Sequence, residues 1–232
     1  MSERPGASGS AAKLGPAERR RGMQKRAEET REAIVAVAAE LFAGQGYAAT
    51  SLRDITSRLG LTLGALYFHF GSKHSLAVEI VRRQHAESIG AVQLIENAKT
   101  SAIESIVLLS RVLAEQARDS SVVRAGLRLS TESVDDFAGV VSTPYREWVH
   151  AGCLLLERAR AQGEIRPELD VGSTAEVIVG AFSGTQFLAA ALGRDERLSS
   201  MLASMWALLL PGILADSDDP VLERVRELLG VL

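Results

Sequence analysis

Residues 50–70, TSLRDITSRLGLTLGALYFHF, constrain the fold more than any other part of the chain. Leu52, Ile55 and Leu59 recur at i, i+3 and i+7 behind a helix-capping Thr50 or Ser51. Gly60 closes that helix, and Thr62 caps a second one from Leu63 to Phe70. Two short helices joined by about three residues around a glycine make a helix-turn-helix. Upstream, Ile34, Val37, Ala38, Leu41 and Phe42 form one apolar helix face, stopped by Gly44 and Gly46.

In a helix-turn-helix the second helix enters the major groove of DNA and its first residues meet the bases. Gly64 and Ala65 remove the bulk that would hold it away. Leu66 and Phe70 point with Ile55 and Leu59 into a small core, which leaves Leu63, Gly64 and Tyr67 on the other face. Thr62 can cap the helix and also donate to a phosphate. Lys73 opens the next helix, where the helix dipole and a cation both favour an anion. The same spacing also fits a three-helix packing unit with no ligand, in which Tyr67 and Phe68 are core.

The remainder reads as helix almost throughout. Expected helices run from about Lys73 to Glu87, from a Ser101–Glu104 capping box to about Arg118, and from Val122 to Thr131. Residues 133–143 lack periodicity and read as a loop, after which Pro144 can open a helix to Gly163. Asp170 or Ser173 caps a helix to about Leu192, Asp195 opens another to about Leu214, and Asp219-Pro220 starts a short last one. No run alternates with period two and no hairpin turn appears. The expected fold is all-α.

Charge divides the chain. Residues 1–83 hold 13 Lys/Arg against 8 Asp/Glu, a net of +5, while the other 149 hold 13 against 21, a net of −8. A basic head on an acidic body fits a polyanion-binding domain beside one with another task; chance surface variation fits as well. Residues 1–25 carry Arg19, Arg20, Arg21 and Lys25 with almost no large apolar side chain, and read as a disordered basic arm. Such an arm either lies along phosphates or only solubilises. The expected organisation is therefore that arm over 1–25, a helix-turn-helix DNA-binding domain over 26–72, and a larger helical ligand-binding and dimerisation domain over 73–232.

The polar N-terminus gives no signal peptide. The apolar stretches at 177–192 and 201–215 are too interrupted to span a membrane, so a cytoplasmic protein is expected. One cysteine, Cys153, excludes a disulfide framework and a Cys-rich zinc site. The four histidines lack HExxH-type spacing, and Asp135-Asp136 and the Asp216–Asp219 cluster read as loop and cap residues, so no metal or cofactor is expected. Met201, Met205 and Trp206 read as core or interface.

The stretch from Lys25 to Lys73, with GYAATSLRDI, LTLGALYFHF and SKHSLA, resembles the TetR family of bacterial repressors. In the body VRAGLRLSTE (123–132), PYREW (144–148) and GAFSGTQF (180–187) resemble its actinobacterial γ-butyrolactone receptor subgroup. The resemblance implies a DNA face at Thr50, Ser51, Arg53, Thr62, Leu63, Gly64, Tyr67, His69 and Lys73. The subgroup usually has Lys where this chain has Leu63, so a cationic contact is missing. It also implies a ligand pocket with Trp148 as its flat wall and Gln84 and Thr185 as its polar positions; without the resemblance, Trp148 reads as ordinary core.

The implied function is a repressor that binds a near-palindromic DNA operator as a homodimer and is released by a small lipophilic, butyrolactone-like signal. The helices near 173–192 and 195–214 are apolar over more of their circumference than one core-facing stripe needs, which fits pairing about a two-fold axis. A regulator of the same fold answering an antibiotic is the alternative. A helical carrier or an enzyme is the rival class, and no acid–base or nucleophile set is recognisable for the latter.

Overall fold

Pro16 starts the first helix. The computed structural model describes residues 15–96, 100–132, 134–216 and 220–228, and among them ten α-helices and no strand, with one isolated bridge between Ile165 and Leu214. Helix α1 (Pro16–Gln45) begins behind Gly15, whose N–H donates to Glu18 Oε2 at 2.8 Å. The expected arm is therefore corrected: residues 16–25 are helix, and residues 1–14 lie outside the described part. The segment lacks apolar side chains to pack, but Ala, Glu, Arg, Gln and Lys are good helix formers. Because the helix continues from a packed one, it adds residues without a nucleation cost.

Gly46, at φ 85°, and Gly60, at φ 64°, end α1 and α2 (Leu52–Leu59) in backbone conformations that side chains disfavour. Ser51 caps α2 by accepting the Asp54 N–H at 3.2 Å, and Asp54 Oδ2 accepts the Ser51 N–H at 2.7 Å. Thr62 caps α3 (Leu63–His69) through the Ala65 N–H at 3.2 Å. Ser72 does the same for α4 (Lys73–Glu96) through the Ser75 N–H. Helix α4 runs past the expected end at Glu87, with Ala91, Val92 and Ile95 buried on its last turns.

Helices α5 (Ala102–Asp119), α6 (Ser121–Glu132), α8 (Val171–Ala191), α9 (Leu198–Ile213) and α10 (Val221–Leu228) follow the expected pattern, with a 3-10 turn at Asp195–Arg197. Helix α7 (Val134–Ala161) does not. Its backbone passes straight through residues 134–143, which were expected as a loop, and Pro144 lies inside it. Pro144 is buried and the next residue, Tyr145, packs on the core that joins α4 and α6. That packing holds the helix across the one backbone hydrogen bond that proline cannot make. The side chains of residues 135–136 and all of residues 217–219, which read as loop and cap residues in the sequence, lie outside the described part.

Two cores form. One joins Ile34, Val35, Ala38 and Phe42 of α1 to Ile55, Leu66, Phe70 and the α4 residues Leu76, Ala77 and Ile80; it also takes in Ala125 and Leu129 of α6. The other is built from α5, α7, α8, α9 and α10 around Leu156, Leu202, Trp206 and Leu210. Packing thus carries the head into α4 and α6 rather than ending it at residue 72. No helix among the described residues is long and apolar enough to cross a membrane.

Candidate DNA-binding face and ligand cavity

Helix α3 divides as its sequence predicts. Leu66 and Phe70 are buried, while Tyr67 is 52% and Phe68 82% exposed. A methyl group built on Gly64 would meet only the Thr62 hydroxyl, at 3.9 Å. The fold itself therefore leaves room for a side chain at residue 64, and its smallness keeps the helix clear for a surface outside the protein. Leu63 and His69 are half-buried, with the His69 ring edge-on to Phe68 at 5.3 Å. Thr62 and Ser51 are exposed, each with its oxygen on a cap and its own proton still to give.

Arg53 is exposed, and no ion pair holds it among the described residues. Lys73 sits with Nζ 4.2 Å above the Tyr47 ring. Burial draws its pKa below the usual lysine value, and Asp54 opposes that pull. Thr50 differs from the rest of the set. It is 2% exposed, its hydroxyl donates to Gly46 O at 2.8 Å and accepts from Gln45 Nε2 at 3.2 Å. Its side chain shapes the turn after α1 instead of facing outward.

The body holds a cavity walled by α4, α5, α6, α7, α8 and α9. Apolar side chains make most of the wall, and Gln84, Ser88, Ser110, Trp148 and Gln186 supply the polar points. This lining suits a small lipophilic molecule held by a few hydrogen bonds. Gln84 is 1% exposed, and its Nε2 donates to Ser88 Oγ at 3.1 Å. The two tryptophans of the wall differ. Trp206 Nε1 donates to Ser110 Oγ at 2.9 Å, whereas Trp148 Nε1 is buried with no partner among the described residues. An unmet buried donor costs roughly 1–3 kcal/mol. Trp148 is fixed edge-on to Tyr145, 4.9 Å away, and lies 6.3 Å from His85, whose Nε2 is 2.7 Å from Glu147 Oε2.

Thr185 is not part of the wall: its hydroxyl donates to Ala181 O at 2.8 Å. Gln186 lines the cavity instead.

The comparisons fit this two-part arrangement. Residues 34–80 match the family described as bacterial regulatory proteins, tetR family, and residues 100–215, half of the chain, match the tetracyclin repressor-like C-terminal domain. The chain belongs to the TetR family. This TetR-family protein is 35% identical over 190 residues to the A-factor receptor protein of Streptomyces griseus, over 82% of the chain and 66% of that receptor. It thus spans just under two-thirds of that relative's length. A solved gamma-butyrolactone receptor, an ArpA-like protein, is 32% identical with a TM-score of 0.75, covering 89% of this chain and all of that one. The TetR family protein CprB from Streptomyces coelicolor, solved in complex with its operator sequence, is 32% identical with a TM-score of 0.73, over 88% and 96% of the two chains.

Sequence reasoning on this TetR-family chain missed Phe68 and Gln186. Phe68 stands two residues after the buried Leu66, about 200° around α3, and so on the side away from the core. Gln186 had a usable signal: Ile178, Phe182 and Gln186 stand four residues apart, and all three line the cavity.

Proposed function

We propose that this protein is a cytoplasmic, non-enzymatic repressor whose paired heads hold a near-palindromic operator and let go when a γ-butyrolactone-like molecule enters the body. The observation that carries the ligand half is the buried, unpartnered Nε1–H of Trp148 in a mostly apolar cavity. It asks for a ligand with a hydrogen-bond acceptor on an apolar frame, such as a lactone carbonyl. The DNA half rests on the outward face of α3, with Tyr67, Gly64 and Leu63, flanked by Ser51, Arg53 and Lys73.

Large apolar side chains left exposed on α7, α8 and α9, among them Leu154, Val177, Phe187, Leu188 and Leu208, support pairing of two copies through these helices. Two recognition helices about 34–36 Å apart then meet successive turns of the major groove. Helix α4 carries Lys73 at the DNA end and Gln84 at the cavity, about 16 Å apart along one axis. A ligand preferring the non-binding form by about 100-fold per site gives about 5.5 kcal/mol over two sites, enough to invert a 1:99 equilibrium.

The test is fluorescence anisotropy on labelled DNA from upstream of the protein's own gene, with and without a synthetic γ-butyrolactone. Salt-sensitive specific binding lost on adding the lactone is expected. Binding that ignores the lactone moves the search to other lipophilic ligands, and a ligand that binds without changing DNA affinity overturns the coupling through α4.

A further inference from the structure

The start of α1 extends beyond the head's core. Buried residues on α1 begin at Ile34, yet the helix starts at Pro16. The overhang lies beside the recognition helix. Gln24, Lys25, Glu28 and Arg31 of α1 face Phe68 and His69 across one open groove. Arg20 and Arg21 stand one helical turn before Gln24 and Lys25, so they leave α1 on the same face, about 6 Å further along the axis. Both are exposed, and neither has an ion pair among the described residues. The nearest acid on this turn, Glu18, is engaged by the Gly15 N–H. Lys25 has only a loose exposed contact with Glu29, at 3.8 Å.

We propose that this overhang is a second DNA-contacting element, in which Arg20 and Arg21 bind the phosphates that border the groove occupied by α3. The inference rests on the DNA-binding reading above. The first residues of a recognition helix meet the bases, so its far end, at Phe68 and His69, lies toward the flanking backbone. A helix passing that end, with two exposed guanidinium groups one turn before the groove-lining Gln24 and Lys25, is placed to hold this backbone. Arginine suits the task because its planar fork can engage a phosphate through two N–H groups. Such contacts carry no base preference, but they fix register and add affinity. They also offset the cation missing at Leu63.

The experiment uses the full chain and a duplex enriched from a random-sequence pool by the wild-type protein. That duplex is prepared with eight flanking base pairs on each side and also trimmed to the base pairs that the selection specifies. Anisotropy titrations over a salt series compare wild type with R20A/R21A and R20K/R21K. Alanine keeps the helix, which circular dichroism checks. On the long duplex the alanine variant is expected to lose at least about tenfold in affinity, and its plot of log affinity against log salt to flatten by about two per protomer. The lysine variant restores most of that slope. On the trimmed duplex, wild type and the alanine variant converge. An alanine variant with wild-type slope and affinity on both duplexes overturns the proposal. A wild-type protein that enriches no duplex overturns the DNA-binding reading itself, and the two failures are distinct.

Discussion

Gly126 of α6 lies so close to Gln84 of α4 that a methyl group at Gly126 would stand 2.5 Å from the Gln84 Cβ and 2.7 Å from its Cγ. This approach sets the distance between the helix that spans head and cavity and the helix that packs against the head. Because the nearest atom is a Cβ, no rotamer change relieves the overlap. Gly126→Ala is therefore expected to push α4 off α6 and to lower stability by about 1–3 kcal/mol, as overpacking does. Gln84→Gly in the same chain should recover part of that loss, while Gln84→Ala removes only the Cγ contact and should recover less. Thermal unfolding of the three variants checks this, and an unshifted Tm in Gly126→Ala would refute it.

A second junction between head and lever is ionic. Arg31 and Glu32 of α1 meet Glu79 and Arg83 of α4, with Arg83 2.5 Å from Glu32 and both arginines within 3.1 Å of Glu79. Burial raises the Glu79 pKa, but hydrogen bonds from Arg31 and Arg83 outweigh it and leave the carboxyl below the usual value of 4.5. The Arg83 hydrogen bonds lower Glu32 in the same sense. Carboxyls depressed in the folded state contribute stability that is present above the unfolded value and lost as pH falls through the folded one. Tm should hold from neutral pH to about 5 and fall below about 4.5. Glu79→Gln, at a side chain only 14% exposed, should cost about 1–2 kcal/mol at pH 7 and flatten that acid limb. Glu32→Gln, half exposed, should cost about 0.5 kcal/mol or less. Equal losses for the two would contradict this division.

In the cavity, Trp148→Phe keeps an aromatic wall and removes a buried donor that has no partner among the described residues. Folding and DNA affinity should be unchanged, while the lactone concentration that releases DNA rises about tenfold, the scale of one hydrogen bond. Gln186→Ala should also shift the release curve, whereas Thr185→Ala should leave it in place because that hydroxyl is engaged by Ala181 O. A release curve moved by Thr185→Ala and not by Gln186→Ala would put the polar contact one residue earlier on α8.

What the sequence made legible follows from the range of the forces involved. Helices α2, α3, α5 and α8 carry a capping side chain within their own few residues: Thr62 and Ser101 cap where their spacing predicts, and of the pairs that the spacing leaves open, Thr50 or Ser51 and Asp170 or Ser173, Ser51 and Asp170 are the caps. Local signals failed where a distant contact decides. Pro144 reads as a helix start until Tyr145 is seen packed on the α4–α6 core. The Gly126–Gln84 approach joins residues on different helices, and no periodicity reveals it. On α8, Thr185 and Gln186 are neighbours on an apolar helix, and only the position of the cavity tells which of them faces it.

The DNA face separates in the same way into residues that hold the turn and residues that face outward, and mutation should distinguish them. Thr50→Val removes a buried hydroxyl that donates to Gly46 O and receives the Gln45 amide. It should lower stability by about 1–2 kcal/mol, and should weaken operator binding only through that loss, with the salt slope kept. Tyr67→Ala acts on an exposed side chain of α3, so melting and helicity should stay unchanged while specific operator affinity drops by about 100-fold toward the non-specific level. Arg53→Ala should retain sequence preference but reduce the salt slope by about one per protomer, as loss of a phosphate contact does. Anisotropy on specific and scrambled duplexes, paired with thermal melts, reads all three. A Tyr67→Ala variant that still prefers the specific duplex would mean that α3 does not present this face to the bases.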